Sequence, residues 1–238
     1  MCKSLKLGLG DKITVYKANM IIPQIAENLT CSDTLEIPKV CPVCGGATEI
    51  RSMNEAQFLY CVNEECDAKS VKSFTLFVSR DAMNIDGMSE ATLEKFIDSG
   101  FLQEFADLYH LDRYEDEIVN MEGFGEKSYL KLQNSIEASR ETTLPRVLYA
   151  LGIAGIGVAT AKVLCKEFAY DLDKLMNATE EQLSAVEGIG EVIANAFVKY
   201  MRKEENIAKI QNLMKELKLQ EVVVNEAEQS LSGMSFCI

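Results

Sequence analysis

Residues 148–164 read Leu-Tyr-Ala-Leu-Gly-Ile-Ala-Gly-Ile-Gly-Val-Ala-Thr-Ala-Lys-Val-Leu, and this stretch decides the fold. Leu144, Val147, Leu148 and Leu151 before the glycines, and Ala161, Val163 and Leu164 after them, carry the spacing of helices with one apolar face. Between the helices, Ala154-Gly155-Ile156-Gly157 is too short to be anything but a tight turn. A first glycine lets the chain reverse, the central apolar residue pins the turn into a core, and the second glycine opens a helix. The same punctuation recurs as Asp86-Gly87-Met88-Ser89, Glu122-Gly123-Phe124-Gly125 and Glu187-Gly188-Ile189-Gly190. First glycines at 87, 123, 155 and 188 lie 36, 32 and 33 residues apart, the length of one small supersecondary unit repeated four times. After the fourth turn, Ile193, Ala194, Phe197 and Val198 again mark a buried helix face, and Ile207, Ile210, Met214 and Leu217 mark a closing amphipathic helix over 203–218.

A helix that starts at a glycine keeps its first N–H groups free, and these with the helix dipole can hold a phosphate without a basic side chain. The candidate DNA-binding positions are therefore Gly123, Gly125, Gly155, Gly157, Gly188 and Gly190, together with Arg146, Lys162, Lys166 and Lys199 on the helices beside them. The plainer alternatives are helix-to-helix turns and a solvated helix face. In the first repeat Ser89 stands where the second glycine would be, so that turn is expected to serve packing more than phosphate binding.

Upstream, Cys41, Cys44, Cys61 and Cys66 form a C-x2-C-x16-C-x4-C pattern. Two close pairs joined by a loop suit a tetrahedral zinc with four thiolates and no open position, which makes the site structural and not catalytic. Gly45-Gly46 and Asn63 supply the turn residues of such a knuckle. So short a segment buries little core, so metal binding and local folding are expected to be coupled. Cys2, Cys31, Cys165 and Cys237 have no partner at ligand spacing, and Cys165, in an apolar helical stretch, reads as a small hydrophobe. His110, the one histidine, has no ligand neighbour and reads as a helix-surface or partly buried residue.

The 238 residues are 47% hydrophobic and 26% charged, a globular composition with a net charge of −13 that opposes charge-driven binding to nucleic acid. The acid is unevenly spread: residues 71–141 carry 7 basic and 15 acidic groups, whereas 142–220 carry 10 of each. DNA contact is accordingly expected to be weak, geometry-driven and centred on residues 146–199. Glu126 and Glu191, directly after the second glycines of the second and fourth turns, suit a helix start but would repel a phosphate. No run approaches the roughly 18 apolar residues of a membrane span, and residues 1–4 lack the apolar start of a signal peptide, so a cytoplasmic monomer without membrane contact is expected.

A four-cysteine knuckle followed by such turns resembles the carboxy-terminal part of the bacterial NAD-dependent DNA ligases. Phe77-Val-Ser-Arg-Asp-Ala-Met-Asn-Ile-Asp-Gly87 is similar to that family's link from zinc module to first hairpin, and Leu148-Tyr-Ala-Leu-Gly-Ile153 to the entry of its third. Gly10-Asp-Lys-Ile-Thr-Val-Tyr-Lys-Ala18 and Ile21-Ile-Pro-Gln-Ile25 resemble the last strands of its OB-fold, with Ile13 and Val15 alternating as a half-buried strand requires. Asn19-Met20 stands where the family has glycine and an acid, and Leu231-Ser-Gly-Met-Ser-Phe236 looks like the opening strand of its BRCT domain.

The resemblance implies a mainly α chain with four helix-hairpin-helix repeats: an OB-fold remnant at 1–39, a zinc finger at 40–69, a helix-hairpin-helix domain at 70–220 and a flexible tail at 221–238. It implies nicked or duplex DNA as partner, with the remaining ligase domains as possible companions, in replication and repair. The adenylated lysine of a K-x-D-G motif is absent; the nearest string, Asn84-Ile-Asp-Gly87, belongs to a turn. NAD is thus expected only in the full ligase, and this chain is expected not to seal nicks alone. Two rivals stand beside this reading. DNA glycosylases share the hairpin, but their Gly/Pro-rich, Asp-containing loop has no counterpart where the only prolines are Pro23, Pro38, Pro42 and Pro145. A protein-interaction module would suit the acidic first pair of turns.

Overall fold

A computed structural model describes residues 4–53 and 56–220. The BRCT-like segment 231–236 lies outside the described residues. The chain divides into two compact units, one ending at Cys66 and the other beginning at Asp67.

In the first unit, β1 (Ile13–Ala18) and β2 (Ile22–Asn28) pair antiparallel through a turn at Asn19 and Met20, whose φ angles of 49° and 63° are left-handed. Ile21 N donates to Ala18 O across it at 3.2 Å. Asn28, buried at the end of β2, donates from Nδ2 to Asp11 Oδ2 at 2.7 Å and to Lys6 O at 2.9 Å, tying the ribbon to the loop before it. The expected half-buried strand is not found: Ile13 is 39% and Val15 58% exposed. Alternation buries one face only if a second layer covers it, and within this unit β1 and β2 form a two-stranded ribbon. A second ribbon, β3 (Thr48–Met53) against β4 (Ala56–Cys61), carries the cysteine cluster.

The second unit is helical: α1 (Asp67–Val78), α2 (Glu90–Asp98), a 3-10 segment (Phe105–Tyr114), α3 (Glu115–Val119) and α4 (Glu126–Ser139), then α5 (Leu144–Ala150), α6 (Val158–Glu167), α7 (Leu172–Met176), α8 (Glu180–Ser184), α9 (Glu191–Met201) and α10 (Glu204–Glu216). One apolar core runs through it, with Phe77, Leu93, Phe96, Leu108, Ile136, Leu148, Leu164 and Phe197 almost fully buried. The expected faces are buried at Leu144, Val147, Leu148, Leu151, Ala161 and Leu164, but Val163 is 42% exposed. On α6 the inward stripe continues through Cys165 instead, because 161, 164 and 165 share the i, i+3, i+4 face and 163 lies off it. The closing helix turns inward Ile210, Leu213 and Leu217, with Ile207 and Met214 at the margin.

After α10 the chain returns to the middle of the unit. The strands β5 (Glu141–Thr142) and β6 (Lys218–Leu219) pair in parallel, and Arg140 connects the two halves. Its Nη1 donates to Glu216 Oε2 at 2.8 Å, its Nη2 to Tyr109 O at 3.1 Å, and its guanidinium stacks 4.8 Å from the Tyr109 ring centroid. His110, at a kink in the 3-10 segment, completes the group with Nε2 3.1 Å from Glu216 Oε1, a partly buried structural contact.

Candidate nucleic-acid interface and metal centre

The first glycine of every turn has the same left-handed conformation. Gly87, Gly123, Gly155 and Gly188 have φ of 90°, 90°, 82° and 84°, a region closed to most L side chains. In three turns the apolar residue donates its N–H to the carbonyl three residues back: Phe124 to Met121, Ile156 to Ile153 and Ile189 to Val186, at 2.9–3.0 Å. That places glycine third in a β-turn with positive φ, as a type II turn requires. Met88, Ile156 and Ile189 are buried and Phe124 half-buried against Phe96, so the central residue anchors the turn in the core.

The second position has a different reason to be glycine. Gly125, Gly157 and Gly190 are N-caps of α4, α6 and α9 with φ of 177°, −86° and −84°, conformations open to any residue. Among the described residues, no atom beyond their chain neighbours lies within 4 Å of where a Cβ would stand. What glycine removes is a side chain: among the described residues, none caps the first N–H groups of α6 and α9 with its side chain. Ser89 does the opposite in the first turn, its Oγ accepting from Thr92 N at 3.1 Å; in α9 the equivalent donor, Ile193 N, is taken by Gly190 O at 3.0 Å. Ser128 takes a related part in α4, its Oγ accepting from Gly125 N at 2.9 Å.

The turns also pack in pairs. A Cβ on Gly87 would meet Leu132 of α4 at 3.8 Å, and one on Gly155 would meet Ile193 Cγ1 of α9 at 2.9 Å. In each pair the first turn sits against the helix opened by the second, which sequence periodicity had no means of showing.

The basic residues separate into two groups. Arg146, Lys162 and Lys166 line one cleft of about 400 Å³ beside α5 and α6, with Asp81 and Tyr170, which sequence reasoning did not single out. Lys199 lies in the last turn of α9, nine residues from Gly190, or roughly 13 Å along the axis at 1.5 Å per residue. At the start of α9 the neighbours are acidic: Glu180, Glu181 and Glu191 line one hollow, with Asn195 bonded to Glu180 at 3.0 Å. The neutral total of residues 142–220 therefore hides a basic cleft by the third turn and a carboxylate cluster by the fourth. Glu126 is exposed at the second.

The cysteine cluster is built by two tight turns. Cys41 N donates to Gly46 O at 2.7 Å and Gly45 N to Cys41 O at 2.9 Å, with Gly45 at φ 67°. Gly46 is needed for room, since a Cβ there would lie 3.2 Å from Asn63 Cβ and 3.3 Å from Cys44 Sγ. Cys61 ends β4, and Cys66 directly precedes α1. All four Sγ atoms lie within 4.8 Å of one another, with Cys41 to Cys66 at 3.9 Å and Cys44 to Cys61 at 3.5 Å. A tetrahedron with metal–sulfur bonds of about 2.3 Å has S···S edges of about 3.8 Å, so these donors fit a four-thiolate metal site. The Gly46 N–H on its sulfur holds the Cys44 thiol down to about 6, while burial and then the Cys44 sulfur push Cys61 up to about 11. Thiols so close ionise together only around a cation.

These features define a class: a mainly helical chain with small sheets, glycine-turn hairpins and a four-cysteine cluster able to hold a metal. Residues 146–210 match the family model described as the helix-hairpin-helix motif, covering the third and fourth turns. Over 236 residues, 99% of this chain, it is 53% identical to a protein named DNA ligase in Lachnoclostridium phytofermentans and 50% identical to the DNA ligase of Ruminiclostridium cellulolyticum. It is 40% identical over 222 residues to the DNA ligase of Bacillus licheniformis. The chain belongs to the bacterial DNA ligase family, as a carboxy-terminal part of such a ligase. It spans 36% of the length of the first two relatives and 32% of the third.

Proposed function

We propose that this chain is the part of an NAD-dependent DNA ligase that holds duplex DNA, nicked or intact, by its backbone and without regard to sequence. The observation that carries the reading is the uncapped helix start after the glycine turn, at Gly157 and Gly190, where the helix dipole and the opening N–H groups, in α9 those before Ile193, are left for an anion. Backbone donors read phosphate and not base edges, which makes such contact non-specific. In this reading the four turns form two hairpin pairs over 70–220. The third turn, beside Arg146, Lys162 and Lys166, contributes most. The first, capped by Ser89, contributes packing, and the fourth is weakened by its carboxylates.

Zinc fits the four thiolates best among common ions, holding the 40–69 segment by structure and taking no part in chemistry. The ribbon of β1 and β2 is assigned to the end of an OB-fold over 1–39. The nick-sealing chemistry and the NAD site are assigned to the remainder of the ligase, because the K-x-D-G lysine has no counterpart in residues 1–238. The chain alone is expected to be an inactive cytoplasmic monomer, with the whole ligase acting in replication and repair.

Fluorescence anisotropy with a labelled duplex, at low and at physiological salt and with zinc present, tests the reading. Binding with a salt slope equivalent to a few phosphates is expected. Absence of binding at both salt concentrations would overturn it.

A further inference from the structure

The cleft beside α5 and α6 combines two chemistries that phosphate binding alone does not need. Arg146, Lys162 and Lys166 supply three cations on its wall. Its remaining surface is mostly apolar, from Pro145, Val158, Val163 and Tyr170, in a volume of about 400 Å³, which is at the scale of small-molecule pockets. Arg146 is oriented by a bond from Nη2 to Arg80 O at 2.7 Å, which leaves its other guanidinium donors for a ligand.

Tyr170 is placed there by a strained helix end. Ala169 and Tyr170 adopt left-handed φ of 55° and 57°, in positions where glycine or asparagine is the usual residue. Tyr170 N donates to Cys165 O at 2.7 Å and Ala169 N to Lys166 O at 3.1 Å, closing α6 in that conformation. In this conformation Tyr170 packs partly buried against the core and still lines the cationic cleft. Val163, off the buried face of α6 and exposed, extends the same apolar floor. Asp81 is the opposing charge, so three cations and one carboxylate face the space.

We propose that this cleft binds a single unpaired nucleotide, with the phosphate on Lys162, Lys166 and Arg146 and the base laid against Tyr170. The chemistry required is that of a nucleoside phosphate, either free in solution or at the unpaired end of a strand. The cleft reaches the start of α6 at Val158, but the phosphate contacts assigned here are side chains and not the N–H groups of the glycine turn.

The test is amide NMR of the full chain, following Lys162, Lys166 and Tyr170, with AMP, adenosine and inorganic phosphate as separate probes. AMP is expected to shift these amides saturably, and adenosine or phosphate alone to do so at least fivefold more weakly. The double variant Lys162→Gln, Lys166→Gln, on exposed side chains, should lose at least tenfold in AMP affinity with an unchanged helical circular dichroism spectrum. Tyr170→Leu should lose affinity for AMP but not for phosphate. Two further probes separate the sources: a duplex with a 5′-phosphorylated one-nucleotide overhang and the same duplex blunt. Because Lys162 and Lys166 adjoin the turn that holds duplex, Tyr170 is the discriminating amide: its shift with the overhang and not the blunt duplex identifies a strand end, and its shift with AMP alone identifies a free nucleotide. Phosphate binding as tightly as AMP, or silence of the cleft towards both AMP and the overhang, would overturn the proposal. A blunt duplex that moves the amides of residues 155–157 while the cleft stays silent overturns it and leaves duplex binding standing. The reverse pattern overturns duplex binding alone.

Discussion

Arg140 and Glu216 meet at 2.8 Å although 76 residues separate them in the chain, and their side chains are only 23% and 19% exposed. Arg140 also bonds the backbone of the 3-10 segment at Tyr109 and the side chain of Glu137, so one guanidinium joins α4, α10 and the first half of the helical unit. Charge-assisted bonds shielded in this way contribute more than surface ion pairs. Glu216→Ala should destabilise the helical unit by about 1–3 kcal/mol, measured by denaturant melts.

The same contact sets an acid dependence. Burial works against ionisation of Glu216, but the hydrogen bond from Arg140 and the charges of His110 and Arg140 prevail and hold its carboxyl below the ordinary 4.5. A carboxyl lowered on folding contributes stability above its unfolded pKa and loses it as pH falls through the folded value. Melting temperatures of the wild type should therefore fall below about pH 4.5, and Glu216→Gln should flatten that part of the curve while lowering stability at neutral pH.

The two glycines of a turn should respond differently to alanine. Gly155→Ala combines a φ of 82° with a Cβ 2.9 Å from Ile193 Cγ1, and should cost about 2 kcal/mol or more. Gly157→Ala, at φ −86° with open space around it, should cost about 1 kcal/mol or less. Yet the added methyl occupies open space at the start of α6 that an incoming phosphate would use, and should weaken duplex binding severalfold in the anisotropy assay. Equal loss of stability in the two variants would contradict these roles.

Cys41→Ser should release the metal and disorder the β3–β4 ribbon while leaving the helical unit folded, because α1 onwards has its own core. Metal content by mass spectrometry should fall from one ion per chain to none, with helical circular dichroism nearly unchanged. One ion retained would refute the four-thiolate site.

Cys165 has no exposed surface, and burial pushes its thiol up to about 12. Cys31 is exposed. Alkylation of the native chain followed by peptide mapping should modify Cys31 within minutes and Cys165 only at the rate of global unfolding.

The turn geometry was legible because Gly-apolar-Gly has few physical meanings: only glycine is at ease at φ near +85° inside a type II turn, and the apolar residue beside it needs a core. The cysteine cluster was legible for the same kind of reason, since few chemistries call for two pairs of thiols at that spacing. Val163, Ile13 and Val15 were misjudged because alternation and helical periodicity say which residues share a face, not whether anything covers it.

The amino-acid sequence by itself determined the local rules of this protein: where the chain turns, which helices follow, and which four sulfurs meet. Tertiary structure alone decided what stands beside each turn. It packed Gly155 against Ile193, brought Arg140 to Glu216, gathered Arg146, Lys162 and Lys166 into one cleft with Tyr170, and set Glu180 and Glu181 beside Glu191. Conformational preference acts over a few neighbouring residues and can be read along the chain. Electrostatic environment and packing depend on distances in space between residues far apart in it, so a net charge of zero over residues 142–220 resolves into a basic cleft and an acidic hollow only once the helices are packed.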